Sequence, residues 1–414
     1  MSKALDIPVE VKASSPSTWL NRNVVGMGLT SLLSDAGHEM ATAILPGFLT
    51  AIGLSPAALG FIEGVADAVS SFVKIGAGWF SDRFGHRKSI TVGGYLLTGV
   101  SKALFALANG LPVVLVGRVL GWFGRGIRGP LRDAMLSESV PAEARGRAFG
   151  FHRAGDTLGA IIGPLVGVGL LAHLAPRANE ASIPFRTIFV LTLIPGIGSA
   201  LAFALIVRDP RQRSPATRFW TTVRSLPSPF RRFLMGVGVF GIGDFARTLM
   251  ILAASELLTP TLGVAHAAKV AGLLYVGHNM FYAAYSYPVG ALSDRLGRRG
   301  LLTLGYLAGA LAAVGFVAGF LWHLDTITYL LALFGLAGFS IAVEDALEGA
   351  ITADLVSAQF RGTAYGVLGT VNGVGDLVAS VVVGGLWTAF SPVLAFAYAA
   401  VTMGLGALVI YRVR

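Results

Sequence analysis

A short basic motif occurs twice in this chain, half a chain length apart. Gly78-Trp79-Phe80-Ser81-Asp82-Arg83-Phe84-Gly85 returns as Gly290-Ala291-Leu292-Ser293-Asp294-Arg295-Leu296-Gly297, and both copies run on into basic residues. The two aspartates are 212 residues apart in a chain of 414. Each copy lies between long apolar stretches, so the repeating unit is a duplicated membrane-embedded bundle rather than a soluble domain. Two further matches support the duplication. Arg132-Asp133-Ala134 answers Glu344-Asp345-Ala346 at the same 212-residue offset, and Arg145-Gly-Arg-Ala-Phe-Gly150 answers Arg361-Gly-Thr-Ala-Tyr-Gly366.

The chain is 54% hydrophobic and only 13% charged, against roughly 25% charge in soluble domains. It contains no cysteine, which excludes disulfides, thiolate metal sites and cysteine nucleophiles. A span of the hydrocarbon core takes about 20 residues. Twelve apolar stretches meet that length: 24–50, 56–80, 89–109, 112–135, 147–173, 185–207, 232–258, 267–291, 300–321, 327–351, 363–388 and 391–412. The polar start of the chain has no signal-peptide pattern. The expected fold is an all-α membrane protein of twelve transmembrane helices in two six-helix halves. Residues 1–207 form one half, 208–232 a linker and 233–414 the other half.

The net charge of +10 is concentrated in one set of loops. Arg83, Arg87 and Lys88 follow helix 2, and Arg295, Arg298 and Arg299 follow helix 8. The segment Arg208–Arg232 has seven arginines against one aspartate. Basic loops stay on the cytoplasmic side, which puts both termini and the linker in the cytoplasm, with the protein in the inner (plasma) membrane. That distribution explains the positive charge without a nucleic-acid partner.

Ionisable side chains within the membrane cost at least ~2.5–3.5 kcal/mol each at a helix centre, so they mark a pathway by default. Helix 1 has Asp35, His38 and Glu39, helix 2 has Glu63, Asp67 and Lys74, and helix 4 has Arg118, Arg125 and Arg132 at seven-residue spacing, with Arg128 near the same face. Helix 5 adds His152, Arg153 and Asp156, helix 7 Asp244 and Arg247, and helix 10 Glu344, Asp345 and Glu348. Asp35, His38, Glu39, Glu63, Asp67, Arg118, Arg125, Arg153, Asp156, Asp244 and Arg247 are the candidates for a central cavity and proton coupling. Asp82, Arg83, Arg132, Asp133, Asp294, Arg295, Glu344 and Asp345 are the candidates for a gate at the cytoplasmic helix ends.

The paired loop motif and the twelve-stretch plan resemble the major facilitator superfamily of transporters, and the resemblance covers essentially the whole chain. It implies two bundles that give alternating access to a cavity near the bilayer midplane. Helix 5 contains Gly159-Ala-Ile-Ile-Gly163-Pro164-Leu-Val-Gly167, similar to the antiporter motif of drug and metabolite exporters in that superfamily, with Val168 where the pattern often has glycine. Those glycines are expected to pack closely against a helix of the other half. Arg118 is the positional match for an arginine that such exporters use in proton coupling, although the following glycine, Gly121, comes one residue early.

A proton-coupled antiporter exporting a small organic molecule, anions included, is the leading expectation. Substrate and proton would compete for Asp35, Asp67 or Asp156 against Arg118 or Arg125. Uptake or exchange of an organic anion, a phosphorylated metabolite or a metal chelate at Arg125 and Arg128 is the alternative. A non-transporting membrane sensor is more distant. No metal-ligand cluster, phosphate loop or nucleophile elbow points to an enzyme, and no cofactor is expected. The partners are therefore the substrate, protons and the lipid bilayer, and the pathway fits within a monomer.

Overall fold

The computed structural model of the protein describes residues 19–84, 86–141, 144–209, 227–357 and 361–412. Among these residues every regular element is helical. The first half holds α1 (Arg22–Ala51), α2 (Pro56–Phe84), α3 (Arg87–Val100), α4 (Leu111–Glu138) and α5 (Arg145–Leu174). It ends with α6 (Ile183–Leu191) and α7 (Leu193–Ile206). The second half holds α8 (Ser228–Gly241), α9 (Arg247–Leu262), α10 (Val264–Leu296), α11 (Arg298–Trp322), α12 (Ile327–Leu355), α13 (Arg361–Ala389) and α14 (Pro392–Arg412). Taking α6 with α7 and α8 with α9, these helices fall into twelve segments. Eight are long and apolar enough to cross a membrane by length and composition.

Three of the stretches expected as uninterrupted helices are not. The 89–109 stretch tightens into a 3₁₀ helix over Ser101–Leu107. The 185–207 stretch is interrupted at Thr192, because Pro195 has no N–H to give the carbonyl of Leu191. The 232–258 stretch breaks outright between Gly241 and Arg247, and the groups freed by this break find distant partners. The Ala246 amide donates to Ser380 Oγ at 3.0 Å and Tyr398 Oη donates to the Ile242 carbonyl at 2.8 Å. A Cβ on Gly243 would lie 2.0 Å from Thr402 Oγ1, so only glycine lets α14 come this close.

The packing divides by depth. One apolar cluster joins both halves, with Phe48, Phe185 and Phe189 from the first and Phe245, Phe316, Trp387 and Phe396 from the second. It lies toward the end where α1 finishes and α9 turns into α10. Toward the other end, where α1 starts and α14 finishes, each half has its own cluster: Met27, Tyr95, Met135 and Phe203 in the first, and Phe230, Phe233, Tyr306 and Ile410 in the second. Among the described residues the halves thus share an apolar cluster at one end and have separate apolar clusters at the other. In lipid, burying apolar surface gains little, so close backbone contact and van der Waals packing do the joining.

The expectation for the helix-5 glycines is corrected on this point. A Cβ on Gly159 would come within 2.4 Å of the Leu32 carbonyl oxygen, and one on Gly163 within 2.3 Å of that of Ala36. Gly167 faces Met40 in the same way. These glycines seat α5 on α1 of its own half, and Pro164 lies within that contact surface. Contact with the other half comes from different α5 residues: the Ala160 carbonyl accepts from Asn279 Nδ2 at 2.8 Å, and Val168 packs on Gly272.

Candidate functional site

A cavity of ≈ 380 Å³ lies between the halves at mid-depth. Its lining carries seven carboxylates (Glu39, Glu63, Asp67, Asp244, Glu344, Asp345, Asp376) and four cationic side chains (Lys74, Arg118, Arg125, Arg247). With histidines neutral, the formal balance is −3.

The first-half wall is organised by α4. Arg118, Trp122 and Arg125 share one face of that helix at helical spacing. Arg118 reaches Glu63 Oε2 through Nη2 at 2.8 Å and through Nε at 2.9 Å, and its Nη1 donates to Thr42 Oγ1 at 3.3 Å. Arg125 lies 3.3 Å from Asp35, and Arg128 lies 4.0 Å from the same carboxylate. Arg128 also lies over the Tyr95 ring at 4.0 Å. The Trp122 ring sits between the Arg118 and Arg125 guanidinium groups at 5.7 and 5.4 Å, and the His38 ring meets it edge-on. Two cations flanking one indole gain cation–π attraction that offsets part of their desolvation. Lys102, also buried, donates to the Thr98 carbonyl behind this wall.

Several polar atoms along this wall have no hydrogen-bond partner: His38 Nδ1, Glu63 Oε1, Ser70 Oγ, Trp122 Nε1 and Arg125 Nη1. Buried polar atoms are normally paired. A run of unpaired ones facing a cavity is what a polar ligand or water would satisfy.

The second-half wall is acidic. The break between α8 and α9 places Asp244 in the cavity, where Glu344 of α12 also lines it, and Arg247 opens α9 beside it. Asp376 of α13 completes the wall. Among the described residues, Asp67, Asp244, Glu344 and Asp376 make no ion pair within 4.0 Å. Glu348, deeper in α12, is held by Tyr306 and by Asn372 Nδ2 at 2.7 Å.

Among the described residues, four polar links cross between the halves. Tyr275 Oη donates to Glu39 Oε2 at 2.7 Å. Arg153 donates to Asp345 at 2.9 Å and to Tyr282 Oη, which itself donates to Asp345 at 2.7 Å. The third is Asn279 to the Ala160 carbonyl, and the fourth is the Ala57 amide to Thr388 Oγ1 at 2.8 Å. In the first two, a carboxylate gathers polar groups from across the boundary.

Eight of the eleven residues expected at the cavity line it: His38, Glu39, Glu63, Asp67, Arg118, Arg125, Asp244 and Arg247. Asp35 lies behind the lining, under Arg125. Arg153 belongs to the cross-half link, and Asp156 pairs with His152 at 3.3 Å. Glu344 and Asp345, expected at the gate, line the cavity instead, because they stand in the middle of α12. Arg132 bonds its neighbour Asp133 at 2.9 Å. The backbones of Asp82, Arg83, Asp294 and Arg295 fall within α2 and α10, but their side chains lie outside the described residues.

Sequence reasoning missed Asp376, Trp122 and Tyr275. Asp376 falls under the rule that flagged the other intramembrane acids; Trp122 and Tyr275 give no such signal, being ordinary membrane residues until a cavity places them. Among the described residues, no group of three or more His, Asp or Glu is arranged to hold a metal ion.

The family model described as Major Facilitator Superfamily matches residues 27–255 and 234–414. An uncharacterized MFS-type transporter of Methanocaldococcus jannaschii is 32% identical over 92% of each chain. A probable 4-methylmuconolactone transporter of Cupriavidus pinatubonensis is 28% identical over 89% of this chain and 85% of its own. Multidrug resistance protein 2 of Bacillus subtilis is 23% identical over 82% of both. The crystal structure of the nucleoside transporter NupG superposes with a TM-score of 0.74 at 12% identity, covering 94% of this chain and 99% of that one.

Proposed function

The chain belongs to the Major Facilitator Superfamily, and on that premise we propose that it is a proton-coupled antiporter exporting a small organic molecule by alternating access. One observation carries this reading: seven carboxylates against four cations around a mid-depth cavity between two halves whose shared apolar cluster lies toward one end. Uncompensated carboxylates in the membrane interior are costly. They become tolerable when they alternate between bound protons and bound substrate, and that alternation is antiport. The basic segment Arg208–Arg232 and the basic loops support cytoplasmic termini in an inner-membrane protein. The cavity then faces the cytoplasm, the loading side of an exporter. The helix-5 glycine pattern and the similarity to Multidrug resistance protein 2 support export.

The excess of acid favours a substrate that carries positive charge. A second reading, exchange of an organic anion, draws on Trp122 Nε1 and Arg125 Nη1, two unpaired donors on the first-half wall. Everted vesicles with an acidified interior and a pH-sensitive dye separate the two. Proton release on adding ethidium supports the cation exporter, release on adding benzoate supports the anion reading, and no release with either removes proton antiport.

A further inference from the structure

The seam between α2 and α13 is the tightest contact between the two halves. A Cβ on Gly60 would lie 2.0 Å from the Ser380 carbonyl oxygen, and one on Gly64 would lie 2.9 Å from that of Leu377. Further along, a Cβ on Gly373 would lie 2.2 Å from Ser71 Oγ and 3.7 Å from the Asp67 carbonyl oxygen. The helices run antiparallel, so this register sets Asp67 of α2 at the depth of Asp376 of α13. Both line the cavity, Asp67 acts electrostatically on Asp376, and neither has an ion-pair partner among the described residues. Beside Asp67, Glu63 Oε1 and Ser70 Oγ are unpaired although both residues are 2% exposed.

We infer that Asp67 and Asp376 together form the coupling-proton site, divided between the two halves across the α2–α13 seam. This assignment rests on the proton-antiport reading and names its proton carrier. Two partly buried carboxylates at the same depth on facing helices, neither with an ion-pair partner, cannot both be charged at low cost. One shared proton lets the seam stay closed; its loss puts two like charges on opposite halves and drives them apart. The other carboxylates of the site are placed differently. Asp35 is held by Arg125 and Arg128, Asp156 by His152, and Asp244 and Glu344 both belong to the second half, so a proton between them does not act across the seam.

The charged groups around the pair set the balance. Glu63 and Lys74 of α2, Arg118 of α4 and Arg247 of α9 face Asp67. Asp244, Arg247 and Glu348 face Asp376, which also acts on Lys74 and Glu344. Arg247 faces both acids from the second half and moderates their repulsion without pairing with either.

The chain has no cysteine, so Ser55→Cys and Ala389→Cys can carry a nitroxide pair across the closed end, beside the Ala57 amide that bonds Thr388 Oγ1 at 2.8 Å. Label distances are read in proteoliposomes at about pH 5.5 and about pH 8.5, on either side of the range where a shared-proton acid pair changes charge. The expected result is a longer-distance population at the higher pH, lost in Asp67→Asn and in Asp376→Asn and retained in Asp67→Glu, a variant that also reports on folding. An unchanged response in either Asn variant, or no response in the parent, overturns the assignment. Ethidium-driven proton release in everted vesicles is followed in parallel. Its absence beside an intact, pair-dependent distance response refutes antiport while the proton site stands. Its persistence in both Asn variants refutes the proton site while antiport stands.

Discussion

Glu63 and Arg118 meet at 2.8 Å with side chains 2% and 4% exposed, joining α2 to α4 inside one half. The pair faces the cavity, and Glu63 Oε1 is left without a partner. Its chief consequence is mechanical. It fixes the wall on which Trp122 and Arg125 are carried.

Removing one member of such a pair leaves the other charge buried and alone, which costs about 3–5 kcal/mol. Glu63→Gln is expected to lower the thermal unfolding midpoint in detergent sharply. The double variant Glu63→Leu/Arg118→Met, which removes both charges, is expected to recover most of that loss. Scanning fluorimetry on the three proteins checks the order.

Asp35 neutralises two arginines, so Asp35→Asn leaves Arg125 and Arg128 unopposed beside the cavity. The formal charge near the first-half wall rises by one. The apparent affinity for ethidium is expected to fall by about tenfold, the effect of ~1.4 kcal/mol, with benzoate inhibition strengthened. Competition binding by fluorescence reports both.

Tyr275 ties the second half to Glu39 of the first through one hydrogen bond of 2.7 Å. Bonds to charged groups contribute about 1.5–3 kcal/mol. Tyr275→Phe is expected to loosen the joined end and raise the labelling rate of a cysteine placed at Thr50 at least several-fold. A labelling rate equal to that of the cysteine-bearing parent removes Tyr275 from the closure.

Gly163 and Gly169 lie on the same helix and make opposite predictions. A methyl on Gly163 meets the Ala36 carbonyl at 2.3 Å, whereas one on Gly169 meets nothing within 4 Å. Gly163→Ala is expected to lower the thermal midpoint, and Gly169→Ala to leave or raise it, by about 0.5–1 kcal/mol of helix preference. Equal midpoints would contradict the α1–α5 packing described above.

The two-bundle plan was legible because duplication and apolar length are properties of neighbouring residues and of a period, both printed in one chain. The helix breaks were less so. Nothing near Gly243 announces Thr402 or Ser380, which lie more than a hundred residues away and make the break tolerable. The charge rule identified most of the cavity acids but could not rank them. Asp35 and Asp156 are as intramembrane as Asp67, and only the arrangement of α4 and His152 shows that their charges are already met. The glycine pattern of α5 was visible, whereas the partner it packs against depends on how the helices assemble.

The aromatic cluster shared by the halves has one further consequence. Phe48 and Phe185 of one half and Phe245 and Phe396 of the other belong to one cluster, so the alternating access proposed above would require that cluster to be taken apart and rebuilt in every cycle. On that proposal the cluster acts as a clutch: a larger side chain within it is expected to slow turnover without changing what the cavity recognises, and a trimmed one to let the halves disengage with no cargo aboard, uncoupling the proposed proton and substrate flows.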